Sequence, residues 1–200
     1  KICSDLYGSL WSSHFAIRPA KLFDGVEQRL TILIGCHGPS DGNWYTSKYH
    51  QWFSDERPDL FSRLMLASMP QRRSKQSPWP KIGSVTEARI LEKLRIFEGS
   101  PTHLLLTDSS KRVMYFHRTP GYWIRMLDFL PFFESPAGDR SVHHIRELYA
   151  TSEAARAEVA GLGSSSLYFW WFFAIGNCRN LTKGDLLGFP APHLDADEAT

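Results

Sequence analysis

The side chains in this chain best equipped for chemistry are basic and aromatic, with amides among them. Arg118-Thr119-Pro120-Gly121-Tyr122-Trp123 sets a guanidinium and two aromatic rings around a Pro-Gly turn. Cys178-Arg179-Asn180-Leu181-Thr182-Lys183 gathers a second guanidinium, an amide and an ammonium. Gln71–Pro80 is a basic break carrying Arg72, Arg73 and Lys75, and it turns on Ser77-Pro78-Trp79-Pro80. A basic break of the last kind is what DNA-binding surfaces often use for backbone contact. Lysine and arginine neutralise phosphates. Trp44–Phe53 interleaves Tyr45, Tyr49 and Trp52 with Lys48 and His50, and Arg57 follows. These could stack on bases and contact phosphates. Equally, they could close a mixed core against a polar surface. A linker accounts for the basic break as well, and a solvated rim for Arg18, Lys21, Gln28 and Arg29.

Other chemistries find little support. G-x-S-x-G, the P-loop pattern and G-x-G-x-x-G are all missing from the sequence. Cys36 and His37 are adjacent, which does not aim an imidazole at a thiolate. His143 and His144 on one strand would point to opposite faces, so they make no pincer for a metal. The cysteines, Cys3, Cys36 and Cys178, are odd in number and far apart, which suggests a reducing, cytoplasmic setting. No signal peptide or membrane span is visible. The formal charge of +2 permits a nucleic-acid partner without demanding one. The chain opens at Lys1 without a methionine and reads as part of something larger.

The elements that hold these groups are partly legible. Leu167 to Ile175 is wholly apolar or aromatic, far short of the roughly 20 residues that span a bilayer. It reads as a helix buried on all sides, with serines at its start and Gly176-Asn177 as its stop. Thr182 or Asp185 starts a short turn before Pro190. Arg29–Gly35 reads as a strand. Ser84–Phe97 reads as a helix. Ser84 and Glu87 form its capping box, Val85, Ala88, Leu91 and Leu94 a buried stripe, and Gly99 its stop. Leu104–Leu106 and Arg112–His117 suggest a hairpin, and Thr151–Leu162 a helix broken near Gly161 and Gly163. The fold class is mixed α/β.

Several stretches, taken together, resemble the back half of adenine-specific (N6) DNA methyltransferases from bacterial restriction-modification systems. They are Phe15–Ile34, Tyr45–Phe61, Pro80–Gly83, Phe116–Trp123, Ser141–His144 and Ser164–Pro190, in the family's order and running through most of the chain. The family's Gly-rich loop for S-adenosylmethionine and its Asn/Asp-Pro-Pro-aromatic motif are missing. The resemblance therefore implies that residues 1–40 are the terminal strands of the methylase-like sheet. Residues 41–200 would be an α+β target-recognition-like region. The chain alone would bind neither cofactor nor flipped adenine, because most of the closed pocket that base flipping needs would lie outside it. Its partners would be double-stranded DNA and the missing catalytic portion of the same protein.

The resemblance also suggests roles. Arg18, Lys21, Gln28 and Arg29 fall near the seam between catalytic and recognition parts. Arg118, Tyr122 and Trp123 lie in the block R-T-P-G-Y-W, and Arg179, Asn180 and Lys183 in N-C-R-N-L-T-K. Those blocks are candidates for base or phosphate contacts, together with Arg72, Arg73 and Lys75. The loops Pro70–Lys75 and Pro136–Arg140 are equal candidates for the DNA face. Without methylation, the same fold would be a freestanding binding or protein-interaction module.

Overall fold

The computed structural model describes residues 8–37, 43–70, 78–97, 99–136, 138 and 144–191. The chain divides into two compact units, residues 1–93 and 94–200. It is a mixed α/β protein with two small sheets and several helices.

The first unit is built on a four-stranded sheet of β1 (Ser9–Phe15), β2 (Leu30–Cys36), β3 (Asn43–His50) and β4 (Leu66–Pro70), in the order β2-β1-β3-β4. β1 runs antiparallel to β2 and parallel to β3, with a register shift between Ser12 and His14. The stretch Arg29–Gly35, with Thr31, Ile32 and Ile34 β-branched, supplies most of β2 as the sequence predicts. The expected boundary near residue 40 falls between β2 and β3, which share this sheet.

Phe15, at the end of β1, packs with Ala20, Leu22, Trp52 and Leu60 as one apolar cluster. Arg57 seals its rim. The guanidinium lies 4.9 Å from the centroid of the Trp52 ring and donates to the Leu22 and Lys21 carbonyls at 2.9 and 2.7 Å. This is the mixed-core reading of the aromatic stretch, and it also holds for Trp44, which is buried and stacks on Trp79 at 4.7 Å.

Helix α1 (Val85–Leu94) starts where the sequence predicts. The Glu87 N–H donates to Ser84 Oγ at 3.2 Å, and the Glu87 carboxylate accepts from the Gly83 N–H at 2.8 Å. The stripe is narrower than expected. Leu91 and Leu94 are buried and Ala88 half-buried, whereas Val85 is 65% exposed. The helix also ends at Leu94, well before Gly99.

The second unit carries β5 (Leu105–Leu106), β6 (Val113–His117), β7 (Met126–Leu127) and β8 (Ile145–Ala150), in the order β5-β8-β6-β7. The predicted hairpin of β5 with β6 is not formed, because β8 lies between them and pairs with both. β8 outcompetes β5 by offering five partners to β6, from Val113↔Tyr149 to His117↔Ile145. Met114, Phe116 and Leu148 face the core.

Helix α2 (Glu153–Gly163) packs against β6, β7 and β8. It is not broken at Gly161 and runs through to Gly163, where close packing demands a glycine. A Cβ there would lie 2.5 Å from Met126 Cγ.

Helix α3 (Ser166–Ile175) is the apolar run, capped by Ser165 Oγ, which accepts the Tyr168 N–H at 3.1 Å. It is not buried on all sides. Tyr168, Phe172 and Ala174 are buried, Ser166 and Leu167 are exposed, and its other side chains are half-buried. The aromatic neighbours pack on one another, Trp171 edge-on to Phe189 at 5.7 Å and Phe169 to Phe173 at 5.0 Å. Helix α4 (Lys183–Leu187) follows, with Thr182 and Asp185 forming a capping box.

Candidate nucleic-acid interface

In the second unit, two polar segments far apart in sequence meet. β6 ends at His117, and the Arg118 N–H donates to the His144 carbonyl at 2.6 Å. The Arg118 carbonyl accepts from the Leu181 N–H, also at 2.6 Å. One residue on, Thr119 Oγ1 lies 3.4 Å from Asn180 Oδ1. The R-T-P-G-Y-W and N-C-R-N-L-T-K blocks are thus stitched side by side. His117 and His144 join them, with ring centroids 5.6 Å apart.

The turn after α3 is organised locally. Asn177 Oδ1 accepts the N–H groups of Arg179 and Asn180 at 2.9 and 2.8 Å, and Asn177 Nδ2 donates to the Asn180 carbonyl at 2.9 Å. Between them Cys178 takes φ 59°, a left-handed conformation uncommon for a residue with a side chain. Its Sγ lies 3.4 Å from the Phe173 carbonyl. Asn177 thus braces the turn, while the last α3 carbonyls are met by the Gly176 N–H, which donates to the Phe172 carbonyl at 2.9 Å, and by Cys178 Sγ, so that no side chain of Arg179 or Asn180 caps the helix among the described residues.

Arg118 and Arg179 are exposed, and neither guanidinium has an ion-pair or hydrogen-bond partner among the described residues. Tyr122 is 93% exposed. The chain on either side of it is anchored, since Pro120 and Ile124 are buried and Trp123 stacks on Phe169 of α3 at 5.2 Å. Lys183 is committed differently, because its Nζ donates to the Leu106 carbonyl at 2.9 Å. That bond ties α4 to β5 and makes Lys183 a structural anchor first. A groove of about 330 Å³ beside β7 and α2 is lined in part by Glu153 and Arg156, whose charges pair at 2.9 Å.

Arg72, Arg73 and Lys75 lie outside the described residues, as do Ala137, Asp139 and Arg140 of the 136–140 loop. In the first unit, Arg18 and Gln28 are exposed, Lys21 pairs with Glu27, and Arg29 is half-buried. Trp44, Thr46 and Ser47 of the aromatic stretch are turned into the sheet, while Lys48 remains exposed.

Sequence reasoning passed over a buried polar network on β1 and β3. Ser12, His14, Thr46 and Ser47 are all buried. His14 Nε2 lies 3.2 Å from Thr46 Oγ1, which donates to the Pro80 carbonyl at 2.8 Å. Thr46 therefore accepts from an Nε2–H, and His14 Nδ1 accepts from Thr31 Oγ1 at 2.9 Å. Burial, then the Lys81 ammonium and His50, hold the imidazole at about 4. His50, stacked on Phe15 at 5.8 Å, is also pushed down by burial and by Lys48. A neutral, doubly hydrogen-bonded histidine fixes the register of three strands.

Among the described residues no helix is long and apolar enough to cross a membrane, and no cluster of His, Cys, Asp and Glu suits a metal ion. No known protein family, curated protein or solved structure matches the chain.

Proposed function

We propose that this chain is a DNA-contacting, non-catalytic segment of an adenine-specific (N6) DNA methyltransferase of a restriction-modification system, working in the cytoplasm. In this reading S-adenosylmethionine and the flipped adenine are held by a catalytic portion lying outside these residues. The observation that supports it is the union of the Arg118–Tyr122 loop with the Arg179–Asn180 turn. Two guanidinia unpaired among the described residues, on neighbouring hydrogen-bonded loops, are a means of gripping phosphates or base edges. Asn180 keeps its Nδ2 for a base edge while Oδ1 is turned to Thr119. Arg72, Arg73 and Lys75 would add backbone contacts.

A second reading, a protein-interaction module that keeps the fold without methylation, is favoured by exposed apolar side chains. Phe129, Leu130, Phe132 and Phe133 follow β7, and Leu33 and Ile34 lie on β2. The coding sequence upstream of Lys1 separates the two. A Gly-rich cofactor motif followed by an Asn-Pro-Pro-aromatic motif supports the methyltransferase, and a start codon there supports the module. Titration of duplex DNA tests the DNA contact itself. Arg118→Ala with Arg179→Ala is expected to weaken binding and leave the melting temperature unchanged, since both side chains are exposed.

A further inference from the structure

We propose that Tyr122 is a stacking residue that takes the face of an unpaired DNA base, so that this surface prefers duplexes holding an extrahelical nucleotide. The inference rests on the DNA-contacting reading above and adds to it a class of substrate.

A tyrosine ring left almost wholly in water forgoes the burial that usually places it, and Tyr122 is 93% exposed. The loop around it is fixed. Pro120 and Ile124 are buried on its two sides, Trp123 is stacked on Phe169, and Arg118 is bonded through its backbone to His144 and Leu181. Holding the backbone in advance lowers the ordering cost of binding, so the ring is presented ready to stack. The charge nearby selects the occupant. Arg118 and Arg179 are exposed and unpaired among the described residues, and the same loops carry no carboxylate. Two cations on the paired loops that carry a lone aromatic face complement a base with its flanking phosphates. It would disfavour a purely apolar protein segment, which leaves the guanidinia without partners.

The test compares a perfect duplex with the same duplex carrying one bulged nucleotide. Binding to the full chain is followed by fluorescence anisotropy at several salt concentrations. The parent is expected to bind the bulged duplex roughly five- to a hundredfold more tightly, the range of one base–aromatic stack. Tyr122→Ala should bind both duplexes alike, and Tyr122→Phe should keep the preference. The slope of log affinity against log salt should not change in either variant, because no charge is removed. Melting should also be unchanged at so exposed a position. Equal parental binding to the two duplexes, or a preference that survives in Tyr122→Ala, overturns the stacking role and leaves the DNA-contacting reading intact. A parent with no salt-dependent binding to either duplex overturns both.

Discussion

The buried imidazole of His14 makes the first unit sensitive to acid. The ordinary histidine value is 6.5, and the folded protein holds His14 at about 4. The neutral ring is the form the fold accepts, so the full stability it supports is present above about pH 6.5. Below that the unfolded chain binds a proton that the folded chain refuses, and stability falls until the pH reaches about 4. A shift of this size corresponds to about 3 kcal/mol at the acid end and about 2 kcal/mol by pH ~5.

The groups facing His14 push the same way. Lys81 and His50 both oppose a second positive charge, and His50 is itself depressed by burial and Lys48. Protonation would also leave Nδ1 donating toward Thr31 Oγ1, which must then turn its own proton away. Against a domain stability of roughly 5–15 kcal/mol the loss is large. Hydrogen exchange of the Ser9–Phe15 and Asn43–His50 amides, corrected for intrinsic rates, reads it strand by strand. The parent should lose protection between about pH 6.5 and pH 4.5. His14→Asn should be less stable at neutral pH by roughly 1–3 kcal/mol, from its lost hydrogen bonds, and should depend less on pH. If His14→Asn keeps the full pH dependence, or the parent shows none, the buried network is not the cause.

Two substitution pairs test the packing. Leu91→Asp should cost several kcal/mol by burying an unpaired charge, whereas Val85→Asp should fall within about 0.5 kcal/mol because Val85 is exposed, and chemical denaturation distinguishes them. Gly163→Ala should destabilise by roughly 1–3 kcal/mol against Met126, while Gly161→Ala meets nothing within 4 Å and should stabilise α2 by up to about 1 kcal/mol in thermal melts.

What the sequence made legible followed local rules. Helix starts at Ser84, Ser165 and Thr182 could be read because a cap is set by residues within one turn of it. β1 was missed because Ser-Leu-Trp-Ser-Ser-His-Phe does not look like a core strand. Its inward face carries Leu10, Ser12 and His14, and the polar pair is stable there only through partners on β2 and β3. The β5–β6 hairpin failed for the same reason, since the competitor β8 lies some thirty residues away and no local signal announces it. At the candidate site, residue types together with the resemblance singled out the Arg118 and Arg179–Asn180 blocks. Their meeting depends on β6 pairing with β8 and on the Leu181 N–H reaching Arg118, neither of which has a sequence signature. The tie from Lys183 Nζ to the Leu106 carbonyl has no sequence signature either.

The most direct test of the central claim is the salt dependence of duplex DNA binding, measured on the parent and on the Arg118→Ala, Arg179→Ala double variant. Each phosphate contact contributes about 0.9 to the slope of log affinity against log salt. If both guanidinia contact phosphates, the magnitude of the parental slope should fall by roughly 1.8 in the double variant. The two proteins should have the same melting temperature. A parent that binds duplex DNA without salt dependence, or a double variant that binds with the parental slope and affinity, would contradict it.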